Sequence, residues 1–128
     1  MKNRNHLLAL SFSLMLAACS AVASRPAPPA MVSDGVLTGS NGMTLYTFDR
    51  DVTGSGKSVC NGPCATNWPP LLAMEGAVAS GDYSIITRDD GSKQWALKGK
   101  PLYFWTKDTK PGERTGDGFN NAWRVARP

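Results

Sequence analysis

A small, mostly β domain of two related antiparallel hairpin-plus-loop units, with little helix, is the fold class that the sequence predicts. Three observations predict it. Residues 42–51 read GMTLYTFDRD and residues 99–108 read GKPLYFWTKD, so Leu45, Tyr46, Phe48 and Asp51 recur 57 positions later as Leu102, Tyr103, Trp105 and Asp108. A repeat of this kind means repeated structure, in which one unit cannot bury its apolar face without its neighbour. The dipeptides Asn41-Gly42 and Asp90-Gly91 stand between runs of strand-forming residues, and such residues accept the positive φ of a tight hairpin at little cost. Finally, residues 34–128 are enough for one thin hydrophobic core. Barrel and sandwich closures both remain open.

The chain begins with Lys2 and Arg4, then an almost wholly apolar run from Leu7 to Leu16. A membrane-spanning helix needs roughly 20 apolar residues, so this run reads as a secretory signal over residues 1–18. Leu16-Ala17-Ala18-Cys19 closes it and resembles the bacterial lipobox. The resemblance implies that the Cys19 thiol carries diacylglycerol and that cleavage makes it the acylated first residue, a stable anchor in a lipid bilayer. An ordinary signal cut near Ala23 is the alternative. Once Cys19 is assigned to lipid, Cys60 and Cys64 remain as a disulfide pair in an oxidising compartment. Loss of the leader leaves 12 basic against 10 acidic side chains and removes His6, the sole histidine. Without imidazole, a Ser-His-Asp triad, a Cys-His pair and a His-rich zinc site are excluded. So mild a positive charge outside the cytoplasm argues against nucleic acid.

After the anchor, residues 19–33 form a tether in which Pro26, Pro28 and Pro29 favour a stiff, polyproline-like path. Ser20 beside the lipidated cysteine, by resemblance to Gram-negative sorting signals, points to the periplasmic face of the outer membrane. The domain is expected over 34–128, with repeats at about 36–70 and 94–126. Residues 36–38 read as a strand, 39–42 (GSNG) as a turn, and 43–48 as the returning strand, apolar on both faces and therefore covered. A polar loop, 49–59, leads to Cys60 and Cys64. A helical turn is expected between Cys64 and Trp68, ended by Pro69 and Pro70. Residues 83–88, 93–97 and 101–106 read as a three-stranded meander, with Pro101 at a strand start because it cannot donate to a ladder. Residues 108–118 repeat the polar loop, and 119–123 parallel 65–68, so Trp123 corresponds to Trp68. Residues 123–126 read as a last strand.

The strings Tyr46-Thr-Phe48-Asp-Arg-Asp51 and Tyr103-Phe-Trp105-Thr-Lys-Asp108, with Cys60-x-Gly62-x-Cys64-Ala65, Trp68-Pro69-Pro70-Leu71, Gly81-Asp82-Tyr83 and Gln94-Trp95-Ala96, resemble a bacterial family of secreted lipoproteins known as a secreted repeat of unknown function. The resemblance covers about residues 34–127. It implies location and repeat organisation, and no chemistry that could be transferred residue by residue.

The repeated residues admit two readings. In one, Leu45, Phe48, Leu102 and Trp105 with Trp68 and Trp123 make a shared pseudo-symmetric core, braced by the Tyr46 and Tyr103 hydroxyls with Asp51 and Asp108 as candidate acceptors. In the other, some of these aromatics line a groove for a glycan, peptide or flat cofactor. Cys60 and Cys64 enclose three residues, one more than the Cys-x-x-Cys redox motif, and read as structural. Copper or haem held by them with Met31, Met43 or Met74 is the competing use. Asp49, Asp89, Asp90 and Asp117 occupy loops without calcium-loop spacing and read as turn formers. Lys93, Lys98, Lys100, Lys107 and Lys110 crowd the second hairpin as a solvated face that could meet anionic lipid or polysaccharide.

Two function classes follow. The first is a non-enzymatic, monomeric envelope lipoprotein that binds another envelope protein or polysaccharide, or is structural, with no cofactor. The second is a periplasmic redox or metal- or haem-handling protein using Cys60 and Cys64. Hydrolysis by paired carboxylates is a weaker third.

Overall fold

The computed structural model describes residues 11–20 and 26–128. The positively charged start of the leader and residues 21–25 of the tether lie outside the described residues. No helix among the described residues is long and apolar enough to cross a membrane.

The elements follow in the order β1 (Met31–Ser33), β2 (Val36–Thr38), β3 (Tyr46–Phe48), α1 (Pro63–Asn67), β4 (Tyr83–Thr87), β5 (Lys93–Leu97), β6 (Lys100–Pro101), a 3-10 turn (Phe119–Asn121) and β7 (Trp123–Val125). They form a small, mostly β domain of antiparallel units: β1 with β2, β3 with β7, and the meander β4-β5-β6. Isolated bridges at Thr38–Thr44, Tyr46–Tyr103, Pro70–Tyr103 and Leu72–Gln94 join these units without closing a barrel.

Two hairpins are set by two-residue turns in which both central residues have positive φ: Asp34 (49°) with Gly35 (77°), and Lys98 (50°) with Gly99 (80°). Such turns match the twist of the strands they join, which is why a glycine ends each pair. The first of these overturns part of the expected tether. Met31–Ser33 is strand β1, in register with Val36–Thr38, and Ala30 is buried, so the fold begins ahead of residue 34. The Asp-Gly signal was present in the sequence, but the preceding prolines masked the strand it serves.

The central strands also differ from the sequence reading. Residues 43–48 touch 36–38 only briefly, through the Thr38–Thr44 bridge and the Leu45 N–H to Leu37 oxygen bond of 2.9 Å. Tyr46–Phe48 then leave to pair with Trp123–Val125 of the other repeat. In the second copy, β6 stops at Pro101, and Tyr103 is shared between Tyr46 and Pro70. Each repeat therefore lends its last segment to the other's central strand. Asp49 N–H donates to the Ala122 oxygen at 2.7 Å and Ala126 N–H to Leu45 at 2.8 Å; the counterparts are Thr106 to Asn67 at 3.1 Å and Leu71 to Leu102 at 2.9 Å. Tyr46 and Tyr103 exchange both backbone bonds, at 2.8 and 2.9 Å, so a pseudo-two-fold axis runs between them.

The expected single core is divided in two. One cluster holds Tyr46, Tyr103, Trp68, Trp105, Trp123 and Cys60, with half-buried Phe48 against it; the other holds Leu45, Leu102, Leu37, Leu97, Ala30 and Ala126. Strand alternation is the reason, since Leu45 and Tyr46, like Leu102 and Tyr103, face opposite sides of one strand.

Candidate functional site

The repeated tyrosines and aspartates meet across the axis. Tyr46 Oη donates to Asp108 at 2.5 Å, and Tyr103 Oη donates to Asp51 at 2.5 Å, so each repeat's phenol rests on the other's carboxylate. Both carboxylates also order their own loops: Asp51 accepts from the Val59 amide at 2.8 Å, and Asp108 from the Thr115 amide at 3.0 Å and hydroxyl at 2.5 Å. Burial, reinforced by the carboxylate each one faces, pushes both phenols well above the usual tyrosine range. Burial likewise raises the Asp51 carboxyl above its ordinary 3.8, against the opposing pull of Tyr103, the Val59 amide and the Arg88 charge.

Four rings stack through the first core in the order Phe48, Trp123, Trp68, Trp105, with centroid spacings of 4.2, 3.8 and 3.9 Å. Tyr46 sets its edge on Trp68 at 5.3 Å and Tyr103 on Trp123 at 5.1 Å, again as a symmetric pair. Each such aromatic pair adds about 0.5–1.5 kcal/mol beyond the area it buries. The stack passes close to Gly116, where a Cβ would stand 2.6 Å from the Trp68 ring. Tyr46 and Tyr103 have no exposed surface, and Trp68, Trp105 and Trp123 keep 5% or less. A shallow 250 Å³ depression reaches the stack beside Phe48, Cys64 and Phe119 without uncovering these indoles. The repeated aromatics are thus brought together as a core rather than as the wall of an open groove.

Only one copy carries the disulfide, Cys60–Cys64, which closes the loop entering α1. By the loop-entropy relation a ring this short stabilises the fold by about 2 kcal/mol. Cys60 is fully buried in the aromatic cluster, to which none of Met31, Met43 and Met74 belongs. Among the described residues no group of three or more His, Cys, Asp and Glu is placed to hold a metal ion. The loop carboxylates are engaged separately: Asp49 pairs with Arg124 at 3.2 Å, Asp89 accepts from Asn61, Asp90 from Ser92, and Asp117 from the Val125 amide.

What the surface offers instead is a cleft of 370 Å³ over the buried Leu97, Leu102, Val125 and Ala126, lined by Lys98, Lys100, Arg124 and Arg127 together with Thr47 and Asp49. The Lys98-Gly99 turn puts two of these cations at its mouth. Arg124 holds Asp49 in the only ion pair among the described residues, so Lys98, Lys100 and Arg127 face the cleft without a carboxylate within 4.0 Å.

A family model described as a secreted repeat of unknown function matches the chain over residues 30–72 and 84–127. The chain belongs to this lipoprotein family. No curated protein and no solved structure matches it. The two matched segments of the secreted repeat coincide with the two halves related by the pseudo-two-fold axis, and the first begins at the buried Ala30.

Sequence reasoning missed Arg88 in this secreted repeat, and placed Gln94 only within a family motif without a role. Arg88 is buried and donates to Ser58 Oγ at 3.0 Å, Gln94 Oε1 at 2.7 Å and the Cys60 oxygen at 2.6 Å. Ser58 lies 2.7 Å from the Tyr103 hydroxyl, whose proton goes to Asp51, so Ser58 is the donor there. A line of hydrogen bonds therefore runs from guanidinium to carboxylate through two hydroxyls, and no buried side-chain polar atom among the described residues is left unpartnered. The available signal was alternation, which puts Arg88 on the same side of its strand as the core residue Ile86.

Proposed function

We propose that the protein is an envelope-anchored, non-enzymatic binding module whose basic cleft takes an acidic polysaccharide. In this reading residues 1–18 are removed, acylated Cys19 holds the chain in the outer membrane on its periplasmic face, and the domain works as a monomer. The observation that carries the reading is the cleft itself: Lys98, Lys100 and Arg127, three cations without ion-pair partners, line one concave surface. Clustered like charges around a concave surface attract a polyanion. The buried core leaves binding to the surface, since Tyr46, Tyr103 and the stacked tryptophans are already consumed by packing.

A polymer of uronic acid titrated into the lipoprotein in detergent tests this. Binding should be salt-sensitive, should not occur with an uncharged polymer of the same length, and should weaken at least about tenfold in the Lys98→Glu, Lys100→Glu double variant, because each like-charge contact opposes the ligand. Equal binding of charged and neutral polymers, or no loss in the double variant, would reject the reading.

A further inference from the structure

A second surface is apolar and open. Leu72, Met74 and Val78, on the segment joining the two repeats, are 57%, 85% and 70% exposed. Met74 and Val78, with Glu75 between them, border a 560 Å³ depression whose other wall includes Ile85 and Lys93 on the outward face of β4 and β5, and Leu72 lies next to it in the chain, bridged to Gln94 of β5. Single exposed apolar side chains are ordinary, whereas several grouped over an apolar sheet face form a patch that marks a binding surface.

The tether arrives at this same place. A neighbouring depression of 220 Å³ shares Ala77 and Val78 with the first and is bounded by Pro26, Pro28 and Pro29 on one side and by Tyr83 and Trp95 on the other. Pro26 is seven residues from Cys19. At the length of a fully extended chain, those residues span at most about 25 Å. A domain of this size has a radius of gyration of about 13 Å and is roughly 34 Å across. The chain between Cys19 and Pro26 is therefore too short to carry the anchor to the far side of the domain, and the face that holds Pro26 stays within that reach of the bilayer.

We propose that Leu72, Met74 and Val78, with Trp95 and Tyr83 beside them, rest in the headgroup layer of the membrane that holds Cys19. This inference depends on the lipoprotein reading above. The chemistry suits that layer. Tyr and Trp combine an apolar body with a polar tip, the thioether of Met74 adapts to an irregular surface, and Lys93 can extend its charge to phosphate. The lipid anchor keeps this small patch against the bilayer, where alone it would bind weakly.

The acylated protein, reconstituted into vesicles of phosphatidylethanolamine and phosphatidylglycerol, tests this with an environment-sensitive fluorophore on Met74→Cys, Val78→Cys or Lys110→Cys, the last in a loop packed on Gly42 of the first repeat. Labels at 74 and 78 should shift to the blue and be quenched by nitroxide lipids severalfold more than the label at 110. Vesicle flotation and the mass of the Cys19 peptide report the anchor independently. Protein that floats while labels at 74 and 78 stay as water-exposed as the one at 110 overturns the membrane face and leaves the anchor standing. Labels shielded from water yet untouched by nitroxide lipids would mean that protein covers the patch, which also overturns it. Unacylated Cys19 without flotation overturns both.

Discussion

At the scale of single residues, Asp51 shows how the fold handles a buried charge. The residue is 8% exposed and its carboxyl is raised above 3.8 by burial, so the folded protein holds this proton more tightly than the unfolded chain. Its contribution to stability is therefore complete below about pH 3.8 and declines as pH rises through the folded value. The stability of the wild type relative to Asp51→Asn should accordingly increase as pH falls from 7 toward 4, read by denaturant unfolding of both proteins at each pH; a difference independent of pH would contradict it. The tyrosines and aspartates of this network were legible because they repeat. Arg88 and Gln94 were not, since each occurs in one copy only, and a single polar residue beside an alternating strand reads as easily for a strand end as for a buried partner. Gly116 is silent in the sequence for another reason: its role is set by the Trp68 ring, 48 positions away.

At the scale of elements, local signals carried well and pairings did not. The β4-β5 hairpin, with Asp90-Gly91 in its turn, and the short helix after Cys60 follow from neighbours in sequence. Whether residues 43–48 fold back on their own repeat or cross to the other is decided by contacts between segments some 75 residues apart, and either arrangement buries the same alternating face. The crossing has a measurable result. A chain cut between Ser80 and Gly81 should give halves that are each unfolded alone, because each lacks the segment that covers its central strand. Mixing them should restore the near-ultraviolet circular dichroism of the stacked tryptophans, Trp68 from one half lying between Trp105 and Trp123 from the other. A half that folds by itself as a monomer would refute the crossed arrangement.

At the scale of the whole molecule, two symmetric hydrogen-bond networks tie the halves together, and their failure should be global. All three tyrosines are raised by burial. The folded state then binds more protons than the unfolded chain above about pH 10, so stability falls as pH climbs past that value. Tyrosinate absorbance from Tyr46 and Tyr103 should appear together with loss of the tryptophan stack in one cooperative step; titration of these two phenols one by one in an intact fold would show their hydrogen bonds to be loose. The pseudo-two-fold axis through the Tyr46–Tyr103 pair has a further consequence. Two separate copies of an ancestral half could make these same contacts as a symmetric homodimer, in which every residue appears twice and must serve both sides equally. Fusion into one chain lifts that obligation. One copy can keep a cysteine staple while the other keeps a glycine against an indole, as Cys60 and Cys64 do in the first half and Gly116 in the second. It also replaces an encounter between molecules by an intramolecular one, at an effective concentration of order millimolar. Assembly of the pair is then independent of how many molecules the cell makes.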